Sequence, residues 1–192
     1  MNDKIQVRFG IISLIILAAA FSRLLPHPYN FTPIGAMGLF GAAHLSRKYL
    51  AFVIPFLAMW FSDLLLNNLI YARLYPDFYG DGFVWFGNLW VYASFAAIVG
   101  LGMVLLRRVR ITNLLAASLL ASALFFLVTN FGSWLADPRY PRTVAGLLAA
   151  YGAGVPFFWN TLLGDLFYAG VLFGTYEWVQ RRFLSLSPEK AH

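Results

Sequence analysis

Residues 157–173 read FFWNTLLGDLFYAGVLF. Asn160, Thr161 and Asp165 stand in an otherwise apolar run. The run is long enough to lie within a bilayer, whose hydrocarbon core of about 30 Å takes about 20 helical residues. A charged group at mid-bilayer costs about 2.5 kcal/mol or more on insertion scales, and such groups usually face a bundle interior or a cavity and pair with one another. The stretch therefore asks for a helical membrane bundle in which these three side chains have inward business.

The rest of the chain agrees. Hydrophobic residues make up 60% and charged residues only 11%, with mean hydropathy +0.70, whereas soluble domains carry about 25% charged residues. That excludes an ordinary soluble globule. Phe, Tyr and Trp together reach 18%, which suits lipid-facing helices with interfacial anchors. Charges, prolines and turn clusters divide the apolar blocks into six spans, at about 8–25, 32–45, 49–71, 89–106, 112–135 and 156–179. The apolar stretch at 143–154 is too short to cross and is expected to be a separate surface or re-entrant helix. The first run follows Lys4 and Arg8 and leads into Arg23, Leu24, Leu25 and Pro26. It lacks a small-residue cleavage pattern, so a retained first helix is expected. Residues 1–192 form a single all-α membrane domain on this reading.

Orientation follows from the cations. One side collects Lys4, Arg8, Arg47, Lys48, Arg107, Arg108, Arg110, Arg181, Arg182 and Lys190, and the other only Arg23, Arg73, Arg139 and Arg142. An excess of positive charge on short loops marks the cytoplasmic side, which places both termini in the cytoplasm. The acids Asp77, Asp81 and Asp137 fall on the outer side and carry no weight in that rule. The net charge of +6 is explained by topology, and no nucleic-acid partner is expected.

With direction assigned, a rise of about 1.5 Å per residue gives each polar residue a depth. Arg23, Asp63, Asn67, Asn68, Thr129, Asn130, Asn160, Thr161 and Asp165 all fall in the outer half. The inner halves of the same helices are Leu, Ile, Ala, Val and Phe. This one-sidedness predicts a polar chamber open to the outside, lined or braced by Asp165, Asn160, Asp63, Asn130 and Arg23. Tyr29, Asn30, Trp85 and Tyr140 would stand near its mouth, on loops HPYNFTP, YPDFYGDGFVWF and ADPRYPRT. The expected occupant is a small organic molecule with flat apolar and hydrogen-bonding parts. The bland alternative is a structural or accessory membrane protein. In it Asn and Thr bind helices together at about 0.6 kcal/mol each, and Arg23 pairs with Asp63 or Asp165 only to set register. Gly35, Ala36, Gly38, Gly41 and Ala42 read as a close-packing face.

Enzyme signatures are missing: no GxSxG, HExxH, Walker A or dinucleotide glycine pattern occurs. Ser22 and Ser133 have no histidine that sequence assigns to them. Without cysteine, thiolate metal sites and thiol catalysis are excluded. His27 and His44 lack a second ligand at metal spacing. The chain is expected to be neither an enzyme nor a holder of metal or cofactor.

The segments NFTPIGAMGLFGAA at 30–43, LVTNFGSWL at 127–135, YPRTVAGLL at 140–148 and PFFWNTLLGDLFYAGVLF at 156–173 resemble an uncharacterised bacterial six-span membrane protein family. That family in turn remotely resembles the S components of energy-coupling-factor vitamin transporters. The resemblance implies six helices in the bacterial inner membrane, both termini inside, and a vitamin-like ligand bound near the outer face under extracellular loops. It also implies an energising transmembrane and ATPase module as partner. Here only Ala18 and Ser22 offer the small-residue spacing by which many S components dock on that module. A solitary S-component-like family handles cobalamin through a cysteine, and this chain has none to carry that chemistry.

Overall fold

The computed structural model describes residues 2–79 and 82–184, and among them every regular element is helical. Of the charges counted above, Asp81 and Lys190 lie outside the described residues, as does the side chain of Lys4. The chain runs through α1 (Asn2–Ser22), α2 (Ile34–His44) and α3 (Lys48–Leu65). A π-helical stretch (Leu66–Tyr71) carries α3 into α4 (Ala72–Leu74), followed by the short α5 (Pro76–Tyr79). Then come α6 (Leu89–Leu105), α7 (Ile111–Ala136) and α8 (Val144–Val179), with a closing π-helical turn (Gln180–Leu184).

Three stretches, Ile5–Ser22, Lys48–Leu74 and Ile111–Ala136, are long and apolar enough to cross a membrane, yet only 22%, 39% and 22% of their windows are buried. Leu14, Leu119 and Leu127 are at least half exposed. Apolar faces this extensive do not persist in water; they mark a membrane-embedded bundle.

Its centre is α2. At 11 residues it rises only about 16 Å, half the depth of a bilayer core, so it cannot serve as a full lipid-facing span. Every residue from Ile34 to Gly41 is buried. Neighbouring helices close on its glycines from different sides. A Cβ added at Gly38 would meet Ile98 of α6 at 3.2 Å, and one at Gly41 would meet Pro55 of α3 at 2.6 Å. The small residues of 35–42 thus face several partners at once, because a helix enclosed on all sides needs close approach on all sides. Ile16, Ala20, Phe95, Ile98 and Ala121 complete the core around it.

The longest helix differs most from expectation. The predicted separate helix at 143–154 and the span from 156 are one 36-residue helix, α8, with Pro156 inside it. Proline removes a hydrogen bond to the carbonyl four residues earlier and crowds that turn. Here the turn ahead of it is Gly152, Ala153 and Gly154, which offers little side-chain bulk to oppose the ring. The start of α8 is held separately: Thr143 Oγ1 accepts from the Gly146 N–H at 3.2 Å, the usual N-cap geometry.

The helices α1, α2, α3, α6, α7 and α8 run in alternating directions when the short α2 is included. The connections 23–33, 75–79 with 82–88, and 137–143 gather at one end, where the Tyr29 and Tyr75 hydroxyls meet at 3.0 Å. Arg47, Arg107, Arg108, Arg110, Arg181 and Arg182 gather at the other. These are called the loop end and the basic end below.

Candidate ligand cavity and its supporting networks

The polar residues of α8 act first on the connector between α1 and α2. Because α2 is short, this connector must descend into the bundle before the helix can begin. Asn160 Nδ2 donates to the Tyr29 carbonyl at 2.9 Å, next to Asn30, whose φ of 63° puts it in the left-handed region that asparagine tolerates better than most residues. One turn further along α8, Gly164 lets the backbone pass: an added Cβ would lie 3.0 Å from Thr32 N. The next residue, Asp165, meets the start of α2. Its carboxyl accepts from the backbone N–H groups of Gly35 and Ala36 and from Ser122 Oγ of α7 at 2.6 Å. Gly35 has no alternative residue at this distance, since its Cβ would stand 2.3 Å from Asp165 Oδ1. The first N–H groups of any helix lack intrahelical acceptors, and inside a membrane no bulk water supplies them. Asp165 supplies them from another helix.

A second network joins α1, α3 and α6. Arg23 Nη1 lies 2.7 Å from Asp63 Oδ1 and donates to Ser62 Oγ at 2.7 Å, while the Tyr92 hydroxyl donates to Asp63 Oδ2 at 2.6 Å. The sequence left open which acid Arg23 would meet, and it meets Asp63. The connector before α6 closes over the pair. Asn68 Nδ2 donates to the Val84 carbonyl and its Oδ1 accepts from Val84 N–H, at 3.0 and 2.8 Å. Trp60 Nε1 donates to the Trp85 carbonyl at 2.9 Å, and Gly87 lies against Asp63. Asp63 and Asp165 share none of these partners; each closes its own cluster.

The cavity lies beside these networks, between α7 and the first half of α8 at the loop end. It holds about 330 Å³, within the range of small-molecule sites. Phe125, Phe126, Phe157 and Phe158 form apolar walls; Thr129, Asn130, Ser133 and Thr161 supply polar atoms; Asn30, Asp137, Arg139 and Tyr140 stand around it from the connections. The Asn130 side chain fits because α8 has glycine opposite: a Cβ at Gly154 would meet Asn130 Oδ1 at 2.3 Å. Arg139 Nε donates to Asp137 Oδ2 at 2.9 Å, and this guanidinium holds the Asp137 carboxyl below the usual carboxylate range. Arg142 turns away from the cavity, donating to the Trp134 and Leu135 carbonyls at the end of α7.

Of the residues expected to form the chamber, Asn30, Asn130 and Tyr140 line this cavity. Asp165, Asn160, Asp63 and Arg23 lie outside the lining, in the two networks, and so do Tyr29 and Trp85, which meet the rest of the protein through the contacts just given. Sequence reasoning missed Ser133, Asp137, Arg139, Gly154 and the four phenylalanines as lining groups. A signal existed: Thr129, Ser133 and Asp137 recur every fourth residue, and Gly154 precedes Thr161 by seven, spacings that put side chains on one helical face. Among the described residues no three His, Asp or Glu side chains gather as metal ligands.

Fold and site together define a class: an all-helical membrane-embedded bundle around a buried short helix, with a semi-polar cavity at its loop end. The chain belongs to the family described as DUF6580, a family of unknown function, whose model matches residues 3–189. No curated protein and no solved structure matches the chain.

Proposed function

We propose that this protein captures a small organic nutrient from the outer side of the bacterial inner membrane, as a transporter or as the substrate-binding subunit of one. The observation that carries the reading is the 330 Å³ cavity. It opens at the end of the bundle with fewer cations, and its walls combine aromatic rings with hydroxyl and amide groups. In this reading α1, α2, α3, α6, α7 and α8 make six passes, the descending connector completing the short pass of α2, and both termini are cytoplasmic. Six passes, both termini inside and a site near the outer face are what the resemblance to S components implies. Active uptake would draw its energy from a partner module, since the chain carries no nucleotide-binding motif. Asp165, Asn160 and the Arg23–Asp63 pair brace the site, while Asn30, Asn130 and Tyr140 touch the ligand.

A second reading, an accessory membrane protein without a ligand, is favoured by one observation: the carboxyls of Asp63 and Asp165 are filled by groups of the protein itself. Native mass spectrometry of gently extracted protein separates the two. Capture predicts a co-purified adduct of vitamin size. The variant Ala153→Phe, which fills the cavity from α8, is expected to lose that adduct at least about tenfold while keeping its helical circular dichroism. A bare or lipid-only spectrum from the unmodified protein would favour the accessory role.

A further inference from the structure

The hydroxyl protons of Thr129, Ser133 and Thr161 in the cavity wall are already committed, and this bears on what those hydroxyls can recognise. Thr129 Oγ1 lies 2.7 Å from the Phe125 carbonyl, Ser133 Oγ 3.0 Å from that of Thr129, and Thr161 Oγ1 3.1 Å from that of Phe157. A carbonyl cannot donate, and a hydroxyl has one proton. Each hydroxyl therefore gives its proton to its own helix and keeps only lone pairs for a ligand. Asn130 Nδ2 gives one of its two N–H groups to the Phe126 carbonyl at 2.8 Å. At the mouth the sequence of acceptors continues with the Asp137 carboxylate, on the residue that follows the last turn of α7. Its side chain is 22% exposed, against 82% for the Arg139 that neutralises it, so the guanidinium lies to the solvent side.

Resting on the reading of the cavity as a ligand site, we propose that its ligand is an organic cation: a protonated amine or N–H-rich heterocycle on a flat ring, whose N–H groups donate to the Thr129, Ser133 and Asp137 acceptors. The ring packs among the phenylalanines, whose faces also favour cationic charge. An anionic ligand of the same shape would bring its lone pairs against those of Thr129, Ser133 and the Asp137 carboxylate, an unfavourable pairing. Sites built to hydrogen-bond one ligand group reject analogues that lack it far more strongly than apolar pockets reject a change of size.

Three indole probes of near-equal size separate the possibilities: tryptamine, tryptophol and indole-3-acetate. Their binding to full-length protein in nanodiscs is measured by calorimetry with empty nanodiscs subtracted. The ammonium is expected to bind at least about tenfold tighter than the alcohol and the carboxylate weakest. Asp137→Asn and Ser133→Ala should each narrow the gap between ammonium and alcohol several-fold. Ser133→Ala removes a single half-buried hydroxyl of α7, so it serves if the first variant folds poorly. Indole-3-acetate binding as tightly as tryptamine would overturn the cation assignment and leave the cavity standing as a ligand site. Binding by none of the three, or binding untouched in Ala153→Phe, would remove the cavity as a site and the cation assignment with it.

Discussion

Asp165→Ala is expected to be among the most destabilising single truncations in this protein, lowering stability by about 3 kcal/mol or more. The number follows from what the substitution leaves behind. Two backbone N–H groups, at Gly35 and Ala36, and the Ser122 hydroxyl all lose their acceptor. A buried donor without a partner costs about 1–3 kcal/mol, and only Ser122 has a ready substitute, the Ser118 carbonyl at 3.0 Å. Asp165→Asn keeps one acceptor oxygen and should fall between. Thermal unfolding in mild detergent reads the loss, and limited proteolysis should show new cleavage in the 23–33 connector, because it is α2 that comes loose. Gly35→Ala is expected to act similarly from the other side, driving a methyl into the carboxyl. If both groups serve one cap, Gly35→Ala and Asp165→Ala combined should cost clearly less than the sum of the two. Full additivity, or an unchanged midpoint in Asp165→Ala, would mean that the start of α2 is held by something else.

That prediction differs in kind from what the sequence invites, and the difference shows where sequence reading stops. Apolar blocks and their punctuation place the helices well: Asn88 caps α6 by accepting from the Trp90 N–H at 2.9 Å, and the basic clusters sit between helices. Depth is also legible, since residue counting puts Asn130, Thr129 and Thr161 at the level where the cavity lies. Partner choice is not. A period of 3.6 tells which face Asp165 occupies, but not that this face meets the bare N-terminus of another helix instead of a cation or a ligand. The shortness of α2 was the available clue, because a half-length helix inside a bundle must leave its first amides in need of an acceptor. The continuity of α8 through Pro156 was hidden for a similar reason. Proline forbids one hydrogen bond, and whether the helix survives depends on the bulk around it, which here is supplied by glycine and alanine.

Arg23→Leu is the other substitution with a large expected effect, about 3–5 kcal/mol of destabilisation, the usual consequence of removing one member of a buried ion pair. Asp63 would keep the Tyr92 hydroxyl at 2.6 Å but lose its cation, and its side chain is only 10% exposed. The sign of the effect should reverse with the second substitution. Arg23→Leu combined with Asp63→Leu removes both charges together, and well-packed apolar residues in place of a buried pair are often neutral or stabilising. The double variant is therefore expected to melt above Arg23→Leu alone. It also separates structure from function. In the capture reading Arg23 and Asp63 brace the site from outside the cavity lining, so the double variant should retain the co-purified adduct once its fold is recovered. A double variant that is stable yet bare would move the ligand out of the α7–α8 cavity and onto the Arg23–Asp63 pair itself. The guanidinium Nε and the neighbouring Asn67 Nδ2, both buried without partners, would then be the groups to vary next.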